Sequence, residues 1–157
     1  EKYEIEKKER QRYNIEIKSQ IGGDQIFHPK FNEFVDLVVS DIRSENIESR
    51  VTIQSFDFRV LKYLKNQYPS FKISMLVSEN YNFSNIFDDL GFYPDIYSPN
   101  FKNLTYEIVK KAQKKKIQVI PWTVNSNDDI AKILELGVDG IISDYPERVK
   151  YILNEKI

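Results

Sequence analysis

What most constrains this chain is a repeated order of signals: a short β-rich run, a turn residue, then a stripe of apolar residues at helical spacing. The first instance is Tyr13-Asn14-Ile15-Glu16-Ile17-Lys18, where apolar and polar side chains alternate strictly. A Gly22-Gly23-Asp24 turn and Pro29 follow, and Phe31, Phe34, Val35, Val38 and Ile42 then mark a helix. The second is Val51–Phe56, with Asp57 placed to cap a helix bearing Leu61, Leu64 and Tyr68 and Pro69 placed to stop it. A strand at Lys72–Val77 leads through an Asn- and Phe-rich stretch to a short helix ending near Gly91.

Asp95–Asn100 is a weaker strand with Pro99 confined to its end, and a helix from Thr105 to Lys115 carries Ile108, Val109 and Ala112. Ile117–Val124 reads as a strand, Asn127 as the cap of a helix ended by Gly137, Gly140–Ser143 as a last strand, and Pro146 as the start of a last helix. Repeated that way, the order argues for βα units around a parallel sheet, each helix returning the chain to the end where the preceding strand began. The pattern supplies about six βα units where a closed barrel of parallel strands needs eight.

Composition sets the outer limits. The 157 residues are 41% hydrophobic and 13% aromatic, enough for one domain with a real core. No Pro/Gly/Ser linker divides the chain, so residues 1–157 are expected to form one part of one barrel domain. The 23 basic and 24 acidic side chains nearly cancel, which argues against nucleic acid as a partner and leaves any phosphate recognition to a local cluster. Without cysteine there is neither a disulfide nor a thiolate metal site. No apolar run has the length of a membrane span. The chain opens on Glu1 instead of methionine, which leads us to expect a preceding segment.

Four strand ends carry residues with chemical potential. Asn14, Glu16 and Lys18 share one strand face; they form either the wet side of a half-buried strand or a polar face at a barrel mouth. In the second case Glu16 could ligate a hard cation and Lys18 could pair with a phosphate oxygen. Asp57, in Gln54-Ser55-Phe56-Asp57, reads first as a cap. Trp122 is either core filler or an apolar wall, and Ser143-Asp144-Tyr145-Pro146 reads as a turn into a helix. His28 is the single histidine, and without a partner it is expected to be structural. The lysines at 110, 111, 114, 115 and 116 are explained most simply as a solvated helix end that complements the macrodipole.

Taken in order, Asn14-Ile15-Glu16-Ile17-Lys18, Gln54-Ser55-Phe56-Asp57, Pro121-Trp122-Thr123-Val124-Asn125 and Asp139-Gly140-Ile141-Ile142-Ser143-Asp144-Tyr145-Pro146 resemble the glycerophosphodiester phosphodiesterase family. The resemblance runs from about Tyr13 to the C-terminus. It implies a TIM-type (β/α)8 barrel, here incomplete, that hydrolyses glycerophosphodiesters to an alcohol and glycerol 3-phosphate with magnesium or calcium. It also implies that Glu16 is the metal-binding glutamate, Lys18 the phosphate-binding lysine, and Trp122 the aromatic wall of the glycerol pocket. Gln54-Ser55-Phe56-Asp57 would help to shape the same cavity.

The departures are equally informative. The family's His-Arg-Gly motif, its Glu-x-Asp pair and its two catalytic histidines belong to strands that precede the Asn-Ile-Glu-Ile-Lys region. None of them occurs here, so no catalytic residue is assigned within this chain, and the chain alone is expected to bind metal weakly and turn over little. A missing N-terminal segment, or another chain, is expected to cover the open barrel edges. Two alternatives stay open: a non-catalytic remnant serving as a binding or assembly module, and a phospholipase-D-like relative that cleaves sphingomyelin.

Overall fold

The structure is a computed structural model that describes residues 11–78 and 81–155. It divides into two compact units, residues 1–73 and 74–157.

The first unit contains β1 (Tyr13–Glu16), α1 (Phe31–Ser44), a 3-10 turn at Glu48–Arg50, β2 (Val51–Ser55) and α2 (Phe58–Gln67). β1 and β2 are parallel, with Tyr13 opposite Val51 and Glu16 opposite Gln54. The expected strand ran to Lys18, but the regular ladder stops at Glu16. β2 ends at Ser55, so the last bonds there are Ile17 N–H to the Gln54 carbonyl and the Ser55 hydroxyl to the Ile17 carbonyl. Ile17 and Ile53 are buried with Val35 and Val39 of α1 and Leu61 and Leu64 of α2; Val39 takes the inward place expected of Val38, which is only half-buried. Tyr63 of α2 and Tyr68, just after it, both donate to Asp36 of α1, at 3.2 and 2.8 Å, which fixes the two helices together.

The second unit holds most of β3 (Lys72–Val77), then α3 (Ile86–Leu90), β4 (Ile96–Pro99), a 3-10 turn at Phe101–Asn103, α4 (Tyr106–Lys114), β5 (Gln118–Val119), α5 (Asn127–Glu135) and α6 (Pro146–Glu155). β4 lies between β3 and β5, parallel to both, and Pro99 sits opposite Val77 at the strand end, where its missing N–H costs nothing. α3 ends on Gly91 at φ +83°, and α5 is followed by Gly137 at φ +75°, as the glycine positions imply.

Three further segments differ from expectation. The cap of α5 is Ser126, whose hydroxyl accepts from Asp129 N–H at 3.1 Å, while Asn127 is the first helical residue. The strand expected over Ile117–Val124 is regular only at Gln118–Val119, although Ile120 and Trp122 still donate to Tyr97 and Pro99 carbonyls. The expected strand at Gly140–Ser143 is tied by single bonds, Ile142 N–H to Pro121 and Val124 N–H to Ile142. Pro121 has no N–H to return, so the two segments cannot form an uninterrupted ladder.

Candidate functional site

In the first unit, the C-terminal end of β1 holds Glu16 and Lys18 together. Their charged groups are 3.8 Å apart, with the Glu16 side chain 26% exposed and that of Lys18 80% exposed. A pair so open to water adds little stability, which leaves the ammonium available to another anion. Beneath it, Asn14 donates to the buried Gln54 at 2.8 Å, fixing the polar face of β1 against β2.

The Gln54-Ser55-Phe56-Asp57 segment buttresses this rim. Asp57 caps α2 by accepting from Arg59 N–H at 3.0 Å, as its position before the helix suggests. It does more than cap: it accepts from Ser19 at 2.8 Å and from the Arg59 guanidinium at 2.7 Å, and Arg59 forks onto both oxygens of Asp24. Burial opposes the Asp57 charge, but the bonds from Arg59 and Ser19 together prevail and hold its pKa below the usual carboxylate value. The loop after β1 is thus clamped to the start of α2. The sequence reading placed Asp24 in a turn but missed its pairing with Arg59 and that of Ser19 with Asp57, which span 35 and 38 residues and leave no local pattern.

His28 closes the same loop. Its side chain is 7% exposed, Nδ1 lies 2.7 Å from the Pro29 carbonyl, and Nε2 accepts from Gln20 N–H at 3.1 Å. A Cβ on Gly23 would stand 2.6 Å from Nε2, so that glycine makes room for the ring. Both ring nitrogens are committed, which makes this histidine a fastener of the loop.

In the second unit Trp122 is half-buried, and its indole N–H donates to the Ser98 carbonyl at 2.9 Å. With that donor used, the ring offers apolar surface to its surroundings. The neighbouring motif is bonded to itself: the Asn125 amide donates to Asp144 at 2.8 Å and its oxygen accepts from Asp144 N–H and the Ser143 hydroxyl. Glu16 and Lys18 are therefore brought together, while Trp122 stands in the other unit.

Among the described residues there is no group of three or more His, Cys, Asp or Glu side chains placed to hold a metal ion. Glu16 alone does not satisfy a hard divalent cation that takes six to eight oxygen ligands. No described helix is long and apolar enough to cross a membrane.

Comparison with known proteins bears on this arrangement. The family model described as the glycerophosphoryl diester phosphodiesterase family matches residues 3–148. A glycerophosphodiester phosphodiesterase from Caldanaerobacter subterraneus subsp. tengcongensis is 31% identical over 138 residues, 85% of this chain and 52% of that protein. The crystal structure of a protein described as a glycerophosphoryl diester phosphodiesterase from Silicibacter pomeroyi superposes with a TM-score of 0.79 at 29% identity, covering 90% of this chain and 49% of the other. A dermonecrotic toxin from Loxosceles spinulosa is 46% identical, but over 39 residues only, 25% of this chain and 14% of the toxin. The chain spans about half the length of the curated relatives it matches. The fold is that of these relatives, a TIM-type (β/α)8 barrel, present here in incomplete form.

Proposed function

Because the chain belongs to the glycerophosphoryl diester phosphodiesterase family, we propose that it is part of a phosphoric diester hydrolase whose intact form cleaves glycerophosphodiesters to an alcohol and glycerol 3-phosphate. The observation that carries this reading is the Glu16–Lys18 pair, a carboxylate and an ammonium 3.8 Å apart at the C-terminal end of a parallel strand. Barrel enzymes place their chemistry at that end. Lys18 holds a phosphate oxygen and opposes the negative charge that grows there during hydrolysis. Trp122 supplies an apolar wall for the glycerol moiety. Members of this family generally depend on a divalent cation, magnesium or calcium, and we assign Glu16 as one carboxylate ligand. The described residues do not complete such a site.

The proton transfers are assigned to residues outside this chain, because its one histidine is locked in a loop. We expect the rest of the barrel, from a further segment or from another chain, to cover β1 and complete the site. Glu16→Gln in the full-length protein should abolish cation-dependent turnover of glycerophosphocholine, and Lys18→Ala should lower it by about two orders of magnitude. Unchanged magnesium- or calcium-dependent turnover in both variants would refute the assignment. The 157-residue chain by itself should show no turnover. The alternative of a sphingomyelin-cleaving relative has less support, since the dermonecrotic toxin matches over 39 residues, 25% of this chain.

A further inference from the structure

α3 is the shortest α-helix of the described residues, five residues against nine in α4. Aromatic rings cluster on and around it. Phe83 meets Phe87 edge-on at 5.2 Å, and Phe87 meets Tyr93 at 5.3 Å. Facing them, Lys111, Lys114 and Lys115 follow one another at i, i+3 and i+4, the spacing that puts side chains on one helix face. Between the rings and the lysines lies a cavity of about 520 Å³, lined also by Ser84 and Asp88.

The macrodipole of α4 accounts for lysines in its last turn. It does not account for three aromatic rings turned toward them around an open volume. Lys115 is already seated in the cavity wall: its ammonium donates to the Tyr93 hydroxyl at 2.8 Å and lies 4.3 Å from that ring's centre. Lys111 interacts with the exposed Glu107. Lys114 has neither an ion-pair partner nor a hydrogen bond to its side chain among the described residues. Three ammonium groups stand against the one carboxylate of Asp88, so the lining is cationic as well as apolar. The volume falls within the roughly 300–1,000 Å³ typical of small-molecule sites.

We propose that this α3–α4 cleft binds a small organic anion, a phosphate or carboxylate joined to an apolar body, with the body against Phe83, Phe87 and Tyr93 and the anionic group at Lys111 and Lys114. It shares no residue with Glu16, Lys18 or Trp122, so it is a second site, separate from the proposed hydrolytic one. The anion's source is an aryl compound or an alkyl lipid fragment, and two probes distinguish them.

The test is calorimetric titration of the whole chain with 1-naphthyl phosphate, dodecyl phosphate below its micelle concentration, and inorganic phosphate. At least one organic phosphate should bind about tenfold tighter than inorganic phosphate, and the tighter of the two identifies the body. Lys114→Glu should weaken that binding by about fivefold or more, while Lys62→Glu on α2 should leave it unchanged. Tyr93→Ala replaces a residue that is 56% exposed, so the fold tolerates it, and it should remove the preference for the organic phosphate. Equal affinity for all three anions, or an unaltered affinity in folded Lys114→Glu and Tyr93→Ala proteins, overturns the proposal.

Discussion

Replacing Asp57 with alanine should destabilise the protein by about 2 kcal/mol, since α2 loses its cap and the Arg59 guanidinium loses one of its two carboxylate partners. Denaturant unfolding of Asp57→Ala against the parent measures this. The pH dependence has a definite sign. The folded pKa lies below the ordinary value of 3.8, so the carboxylate's stabilisation is complete above that value and is lost as pH falls through the lower folded one. Asp57→Asn should lack this acid-dependent part in a circular-dichroism acid titration. At this scale the sequence was informative where chemistry is local. The position of Asp57 announced a cap, and the alternation around Glu16 placed it on one face with Lys18. The bonds from Ser19 to Asp57 and from Arg59 to Asp24 were invisible, because the partners lie 38 and 35 residues apart in the chain.

Helices and strands were legible in proportion to their length. α1, with fourteen residues, and α2, with ten, show a full apolar stripe, whereas β5 has only two residues and depends on neighbours for its definition. Gly91 makes a clean test of turn chemistry. Its φ is +83° and a Cβ there would meet nothing within 4 Å, so Gly91→Ala should cost only backbone strain, about 1 kcal/mol by thermal unfolding. β4 carries a different reporter. Burial pushes the Tyr97 hydroxyl up to about 12, from an ordinary value of 10.0. Its raised folded value means that its contribution is full below 10.0 and is lost as pH rises through about 12. Tyr63 is also raised, by burial and Asp36, and Tyr68 by Asp36 and burial, so tyrosinate absorbance of Tyr97→Phe should lose one of the late-ionising components that the parent shows.

For the molecule as a whole, the parallel strands and alternating helices followed from the order of signals in the sequence, whereas the division into two compact units did not, since no linker marks it. Among the described residues β1 is bonded to a strand on one side only. Unpaired strand groups invite pairing with another chain. Sedimentation velocity of the 157-residue chain should therefore show association that grows with concentration, and a longer protein that closes the barrel should be free of it. A strictly monomeric chain at all concentrations would contradict this.

The contacts of Asn125 carry a lesson about descent. Its amide group, Ser143 and Asp144 satisfy one another, and Arg148 returns to the Asn125 carbonyl. Selection for folding alone would preserve such a self-contained knot, whatever happened to turnover. Kinship with the family can therefore outlast turnover, and competence depends on the rim where Glu16 and Lys18 are proposed to act.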